Sequence, residues 1–391
     1  MRKALLILSF LVNFVIGGPS IDSLLIVIGK STVAQQIEVL QAISECYLLQ
    51  SEEKALFYAQ EAYNRVRRTN NRSQEGEALV FWANTYEKIG DYTGSIAKNW
   101  EAAVLYDTLR EERKKAYCYA NIASSYTKLY DYSKALDFYY LALGICSGNS
   151  GYAKLSAVCL EAIGTINYLI GDFSNTIYYH KKALKIYNSE NNQLGCANIY
   201  YSLGADYSAL CSYDRAIDYY YKALNIYEDN SAQTGKAMVY HAIGLVYEDI
   251  GNLEKALKLN LKALDIISTI DDQQLKANFS KWIGYIYTQL RNYKKSLQYL
   301  NYAYKIEKQM KNTPEIIVTL EMLGMNKLFQ GQYRAAKQYL NNALKLQAKI
   351  KDKWRISRIS MVGSSLFSIL LNREAAAASS SIKRTFIMVC L

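Results

Sequence analysis

The chain has 391 residues, of which 51% are hydrophobic and 21% charged, a mix that suits a folded chain and excludes wholesale disorder. Two histidines leave little room for His-based catalysis or a His-rich metal site, and two prolines leave little to break helices. The formal net charge of +11 is uneven, with 20 Lys/Arg against 5 Asp/Glu in residues 276–391 and 26 against 30 in residues 1–275.

The N-terminus comes first. Arg2 and Lys3 precede an apolar run from Ala4 to Ile16, followed by Gly17, Gly18, Pro19 and Ser20. A basic head, a 13-residue apolar stretch and small residues after it describe a secretory signal over residues 1–20. The expectation is an exported protein of the bacterial periplasm or cell envelope. Beyond residue 16 no apolar run approaches the roughly 20 residues of a membrane-spanning helix. Gly29-Lys30-Ser31 imitates the end of a phosphate-binding loop, but Leu24 stands where the first glycine is required, and Leu25 to Ile28 are too bulky to cradle phosphates.

From residue 35 the chain repeats. One column, small from its second member onward, reads Ile43, Ala83, Ala123, Gly164, Gly204, Gly244, Gly284 and Gly324, at a spacing of 40 residues, once 41. A second reads Ala55, Ser95, Ala135, Thr176, Ala216, Ala256, Ser296 and Ala336. A third is alanine throughout: Ala62, Ala102, Ala142, Ala183, Ala223, Ala263, Ala303 and Ala343. Small residues at such intervals suit helices packed closely on helices. Large residues follow at helical spacing, as Tyr139, Tyr220 and Leu340 do one turn beyond the second column.

Each unit is punctuated twice. The first break reads Gly90-Asp91, Tyr130-Asp131, Gly171-Asp172, Cys211-Ser212, Gly251-Asn252, Arg291-Asn292 and Gly331-Gln332. Glycine ends a helix in the left-handed region, and Asp, Asn or Ser caps the next. The second break carries Asn70-Asn71, Asn149-Ser150, Asn191-Asn192, Asn230-Ser231, Asp271-Asp272 and Asn312-Thr313-Pro314, with Pro314 suited to a first helical turn. Turns of about three residues leave helices of roughly 17 residues, about 25 Å long. The expected fold is all-α: an α-solenoid of about eight antiparallel helix pairs forming a right-handed superhelix over residues 21–372, each pair stabilised by its neighbours.

These columns resemble the tetratricopeptide repeat. Leu203-Gly204-x-x-Tyr207 and Ala216-x-x-x-Tyr220 follow its pattern, and Ala123-x-x-Tyr126, Gly244-x-x-Tyr247 and Gly284-x-x-Tyr287 follow part of it. The period is 40 instead of 34, the terminal proline is missing, and the tryptophan column holds Leu79, Tyr119, Leu160, Tyr200, Tyr240, Ser280 and Leu320. The resemblance is to a long-repeat variety, similar to the exported sensing half of bacterial two-component or transcriptional signalling proteins. A ninth unit starts near Trp354 and loses its periodicity in the low-complexity tail, residues 373–391.

The resemblance implies a protein–protein interaction scaffold that holds a peptide or helix on the concave side, lined by the first helix of each pair. The alternative is a truncated or regulatory sensor part of a signalling system. The stripe at −6, −3, +1 and +4 from the glycine column supplies the candidate groove. Its members are Asn84, Glu87, Tyr117, Ser124, Thr127, Glu161, Tyr168, Asn198, Tyr201, Ser208, His241, Glu248, Asn278, Lys281, Tyr285, Thr288 and Glu321. Rings with scattered amides and charges suit peptide recognition. Modules of this family that hold acidic C-termini pair Lys with Asn here, and Lys281 stands almost alone. No nucleophile–base pair or carboxylate cluster accompanies the stripe, so no enzymatic activity, cofactor or metal is expected. The basic C-terminal region reads as solvated helix faces, so nucleic acid is not an expected partner. Seven cysteines without a C-x-x-C pair read mostly as apolar packing residues.

Overall fold

The computed structural model describes residues 33–48, 50–147 and 150–348. The signal segment, the Gly29-Lys30-Ser31 imitation, the unit near Trp354 and the 373–391 tail lie outside the described residues.

The described residues form sixteen α-helices and one 3₁₀ turn, with no strand among them. The chain divides into two compact units, the first ending at Asn192 and the second beginning at Gln193. The first unit holds α1 (Val33–Tyr47), α2 (Glu52–Arg67), α3 (Arg72–Lys88), α4 (Tyr92–Thr108), α5 (Glu112–Lys128), α6 (Tyr132–Cys146), α7 (Ala153–Ile170) and α8 (Phe173–Ser189). The second holds α9 (Gln193–Ala209), α10 (Tyr213–Asp229), α11 (Gln233–Asp249), α12 (Leu253–Ser268), α13 (Gln273–Gln289), α14 (Tyr293–Gln309), α15 (Thr313–Phe329) and α16 (Tyr333–Gln347). Odd and even helices pair, and each even helix also packs on the next odd one within its unit. This is the stacked-pair architecture that the 40-residue rhythm predicts.

The turns form where the punctuation stands. Gly90, Gly171, Gly251 and Gly331 have positive φ, between 74° and 85°. In the joint after α3, the Asp91 amide donates to the Tyr86 carbonyl at 2.9 Å and the Gly90 amide to Glu87 at 3.0 Å, closing the helix end. Asp91 then caps α4 by accepting from the Gly94 amide at 2.9 Å. Asp131, Asp172, Asn252 and Asn292 cap their helices in the same way. Tyr130, Cys211 and Arg291 occupy the left-handed position at φ 61°, 55° and 58° without being glycine. Ser212 and Gln332 stand at the N-cap but make no capping bond.

All eight members of the alanine column are at most 2% exposed, from Ala62 to Ala343. The glycine column has a sharper reason than close helix axes. The residue 16 positions later lies over it, so a β-carbon on Gly204 would stand 2.6 Å from the Tyr220 ring and one on Gly164 2.4 Å from His180. Cys118, Cys146, Cys159 and Cys196 are buried as packing residues, and burial pushes the Cys118 and Cys159 thiols up to about 12. The 18-residue helix α7, mean hydropathy 1.3, is the single described helix long and apolar enough to cross a membrane, a feature the sequence reading passed over. It packs against α6 and α8, and Leu155, Ile163 and Ile166 are buried.

Candidate functional site

The first helices of neighbouring pairs approach each other within each unit: α1 with α3, α5 with α7, α9 with α11, and α13 with α15. Side chains tie further pairs. Lys114 of α5 reaches Glu77 and Ser73 of α3, each at 2.8 Å, and Ser124 donates to Glu87 at 3.3 Å. Gln289 of α13 donates to Glu248 of α11 at 2.7 Å. Even helices meet through long side chains, Trp100 of α4 with Phe138 of α6 and Tyr140 of α6 with Tyr179 of α8, while the odd helices come closer backbone to backbone, so each unit curves with its odd helices inside.

In the first unit the stripe on α3, α5 and α7 is accessible. Asn84, Glu87, Ser124, Thr127, Glu161 and Tyr168 are half-buried, and Tyr117 is 38% exposed with Arg113 beside its ring. Thr127 donates back to the Ala123 carbonyl, and Tyr168 meets Phe173 edge-on. Glu161 accepts from the Tyr187 hydroxyl at 3.0 Å, and desolvation raises its pKa despite that bond and nearby His180. Asn84 makes no hydrogen bond among the described residues, which leaves its amide free.

The second unit departs from the expected stripe. Asn198 is exposed, and Tyr201, Ser208, Glu248, Asn278 and Tyr285 are half-buried. Asn198 accepts from Tyr227 at 2.6 Å, Tyr201 packs on Tyr220, and Tyr285 packs on Trp282. The Oδ1 atom of Asn278 is buried without a hydrogen bond. Lys281, Thr288, His241 and Glu321, expected on the open groove wall, are buried instead. His241 and Lys281 at −3 and Thr288 at +4 each meet side chains of both the paired second helix and the next first helix, so these residues serve the packing.

Each of the four has a particular environment. Lys281, 3% exposed, pairs with Glu307 at 3.3 Å and with Glu315. Glu307 also accepts from Thr319 at 2.7 Å, yet burial outweighs these partners and raises its pKa. Thr288 and Ser296 share a hydrogen bond of 2.7 Å, closed by Asn326. His241 Nδ1 lies 2.6 Å from Asn260 Oδ1, and its ring meets Phe279 at 4.7 Å. Desolvation, then the Lys281 charge, lowers the His241 pKa to about 4 against the pull of Asn260, so the imidazole is neutral. Desolvation raises Glu321 to about 7.

The residues that the sequence reading missed are partners of the second unit's stripe: Asn260, Gln289, Glu307, Glu315 and Thr319. A signal existed, since Glu161 and Lys281 share a column and each bonds to the residue 26 positions later, Tyr187 and Glu307.

Family profiles described as tetratricopeptide repeat match residues 157–229 and 195–269, and another matches 319–350. The chain carries tetratricopeptide repeats. No curated protein sequence matches it. Among solved structures, BtubC from P. vanneervenii is 22% identical, with TM-score 0.52 over 57% of this chain and 93% of that one. Aspartyl phosphate phosphatase F from Bacillus subtilis is 12% identical, with TM-score 0.60 over 75% of this chain and 76% of its own. A Rap protein complexed with competence and sporulation factor is 14% identical, with TM-score 0.54 over 88% of this chain and 99% of its own. At these identities the likeness shows a shared helical-repeat fold.

Proposed function

We propose that the chain is a non-enzymatic scaffold that seats a peptide or helix on the inner stripe of its first unit, across α3, α5 and α7. The observation carrying this reading is the free amide of Asn84 on α3, one turn from Glu87, with Ser124 and Tyr117 accessible on α5 and Ser124 bonded to Glu87. The amide offers a donor and an acceptor to an extended backbone, and Tyr117 supplies contact area at low entropic cost. The acidic C-terminus mode finds no support at Lys281, whose charge is already shared between Glu307 and Glu315.

Panning a displayed random-peptide library on the immobilised protein tests the reading. Enriched peptides are expected to lose binding to Asn84→Ala/Tyr117→Ala while the variant keeps its helicity and melting curve. Peptides that bind both proteins equally would place the seat elsewhere. A second reading, a sensor part of a signalling system with its output elsewhere, is favoured by the fold shared with the Rap protein that holds competence and sporulation factor. It requires in addition that a seated peptide change the affinity for a second partner.

A further inference from the structure

The outer helices of the second unit reverse their charge along the stack. One outward column reads Asp214 on α10, Glu254 on α12, Lys294 on α14 and Arg334 on α16. A second reads Asn225, Asp265, Lys305 and Lys345 on the same four helices. All eight side chains are exposed. On α14 and α16 no exposed carboxylate remains: α16 contains none, and the single one on α14, Glu307, is buried with Lys281. Lys294, Lys305, Arg334 and Lys345 make no ion pair with any described residue.

α14 and α16 both pack on α15, one repeat apart, and the four cations occupy matching register positions on the outer surface of these two helices. Along each helix the two cations are 11 residues apart, three turns on the same face, or about 16 Å. Exposed Gln298, Asn301 and Tyr302 lie between them on α14, and exposed Gln338 and Asn342 on α16.

We propose that this surface docks an acidic segment of a partner protein. Amides between the cations can pair with a polypeptide backbone while the cations hold carboxylates at either end. Phosphates recur every few ångströms along a nucleic acid strand, far more densely than these charges, and successive bases need successive rings to stack on. Leu344 is the single exposed aliphatic side chain on the described α14 and α16, too little for insertion into a lipid surface. The surface belongs to the second helices and is separate from the inner stripe, so it stands or falls independently of the peptide seat.

The experiment measures binding of fluorescein-labelled poly-L-glutamate to the full chain, with oligo-dT and phosphatidylserine vesicles as parallel probes. Poly-L-glutamate is expected to bind in a salt-sensitive manner. Lys294→Gln/Lys305→Gln/Arg334→Gln/Lys345→Gln is expected to weaken it at least about tenfold. The α8 variant Lys181→Gln/Lys182→Gln/Lys185→Gln, which also removes exposed lysines, is expected to weaken it less than about twofold. Equal losses in the two variants would mean that net charge alone is read, which overturns the proposal. So would unchanged binding by the fourfold variant, or tighter binding of oligo-dT or vesicles with the same loss. Self-association abolished by the fourfold variant would name a second copy as the occupant and overturn it too. Should the fourfold variant melt early, Lys294→Gln/Arg334→Gln and Lys305→Gln/Lys345→Gln each give an intermediate loss if the surface is shared, and none if it is not.

Discussion

Glu161 in the first unit and Lys281 in the second occupy the same register position, three residues before the glycine column, and they do different things. Glu161 is half-buried and accepts one hydrogen bond from Tyr187, a neutral partner from the paired helix. Lys281 is enclosed and binds Glu307 of its paired helix and Glu315 of the next repeat. The same backbone step therefore carries an accessible wall in one unit and a sealed polar core in the other. What differs is the residue 26 positions later and the residue two before, where buried Phe279 precedes Lys281 and the smaller Cys159 precedes Glu161. Rings join repeats in both units, Trp100 against Tyr119 and Phe138 at 6.3 and 6.0 Å in the first and His241 against Phe279 at 4.7 Å in the second, and the second adds the Lys281 and Asn326 networks.

The largest test breaks the sealed joint. Lys281→Met leaves Glu307 buried without its cation and should cost about 3–5 kcal/mol in urea denaturation, most of it restored by adding Glu307→Met. Glu161→Gln should change stability far less, because an amide oxygen still accepts from Tyr187. Equal costs at the two sites would show that the joints are equivalent.

Next in size is a test of what the units share. Ala142→Leu and Ala223→Leu should each overpack a hairpin by roughly 1–3 kcal/mol, with similar losses in the two units. Both alanines are wholly buried in the same column. A loss in one unit alone would mean that the columns pack differently.

A third test uses pH. Glu321 is held near 7, above its ordinary 4.5, by desolvation, so folding favours its protonated form. That contribution is complete below about 4.5 and is lost as pH rises through about 7. Glu321→Gln should therefore raise stability by about 1 kcal/mol at pH 8, after discounting for solvent screening, and leave it nearly unchanged at pH 4. A gain of equal size at both pH values would exclude the buried charge as its cause. His241 acts in the opposite sense, its neutral form being favoured, and stability from it falls as pH drops from about 6.5 toward 4.

The smallest test concerns the turns. Tyr130→Gly in the first unit and Arg291→Gly in the second relieve a left-handed backbone and should each add about 0.5 kcal/mol after the entropy cost of glycine. The gain should match in the two units because the turns are alike. A loss would mean that the Tyr130 or Arg291 side chain contributes more than its backbone strain removes.

The fold was legible because its signals are local and repeated. The Gly90-Asp91 and Gly171-Asp172 pairs specify turns by backbone chemistry alone, and eight alanines in register specify tight pairing. The groove was legible only in part. The helical stripe placed Asn84, Tyr117 and Asn198 where partners can reach them, but spacing on one helix says nothing of what lies opposite it. His241, Lys281, Thr288 and Glu321 share the stripe and lie inside, because the side chains that cover them come from other helices.

By itself the sequence determined the helices, their turns, their pairing and the period of the stack, since each depends on neighbours within one 40-residue step. Only the tertiary structure decided which members of the stripe face water, which carboxylates lose it, and which cations on the outer helices stay unpaired. Those outcomes depend on how far each helix is covered by the next pair, a distance in space that no spacing along the chain encodes.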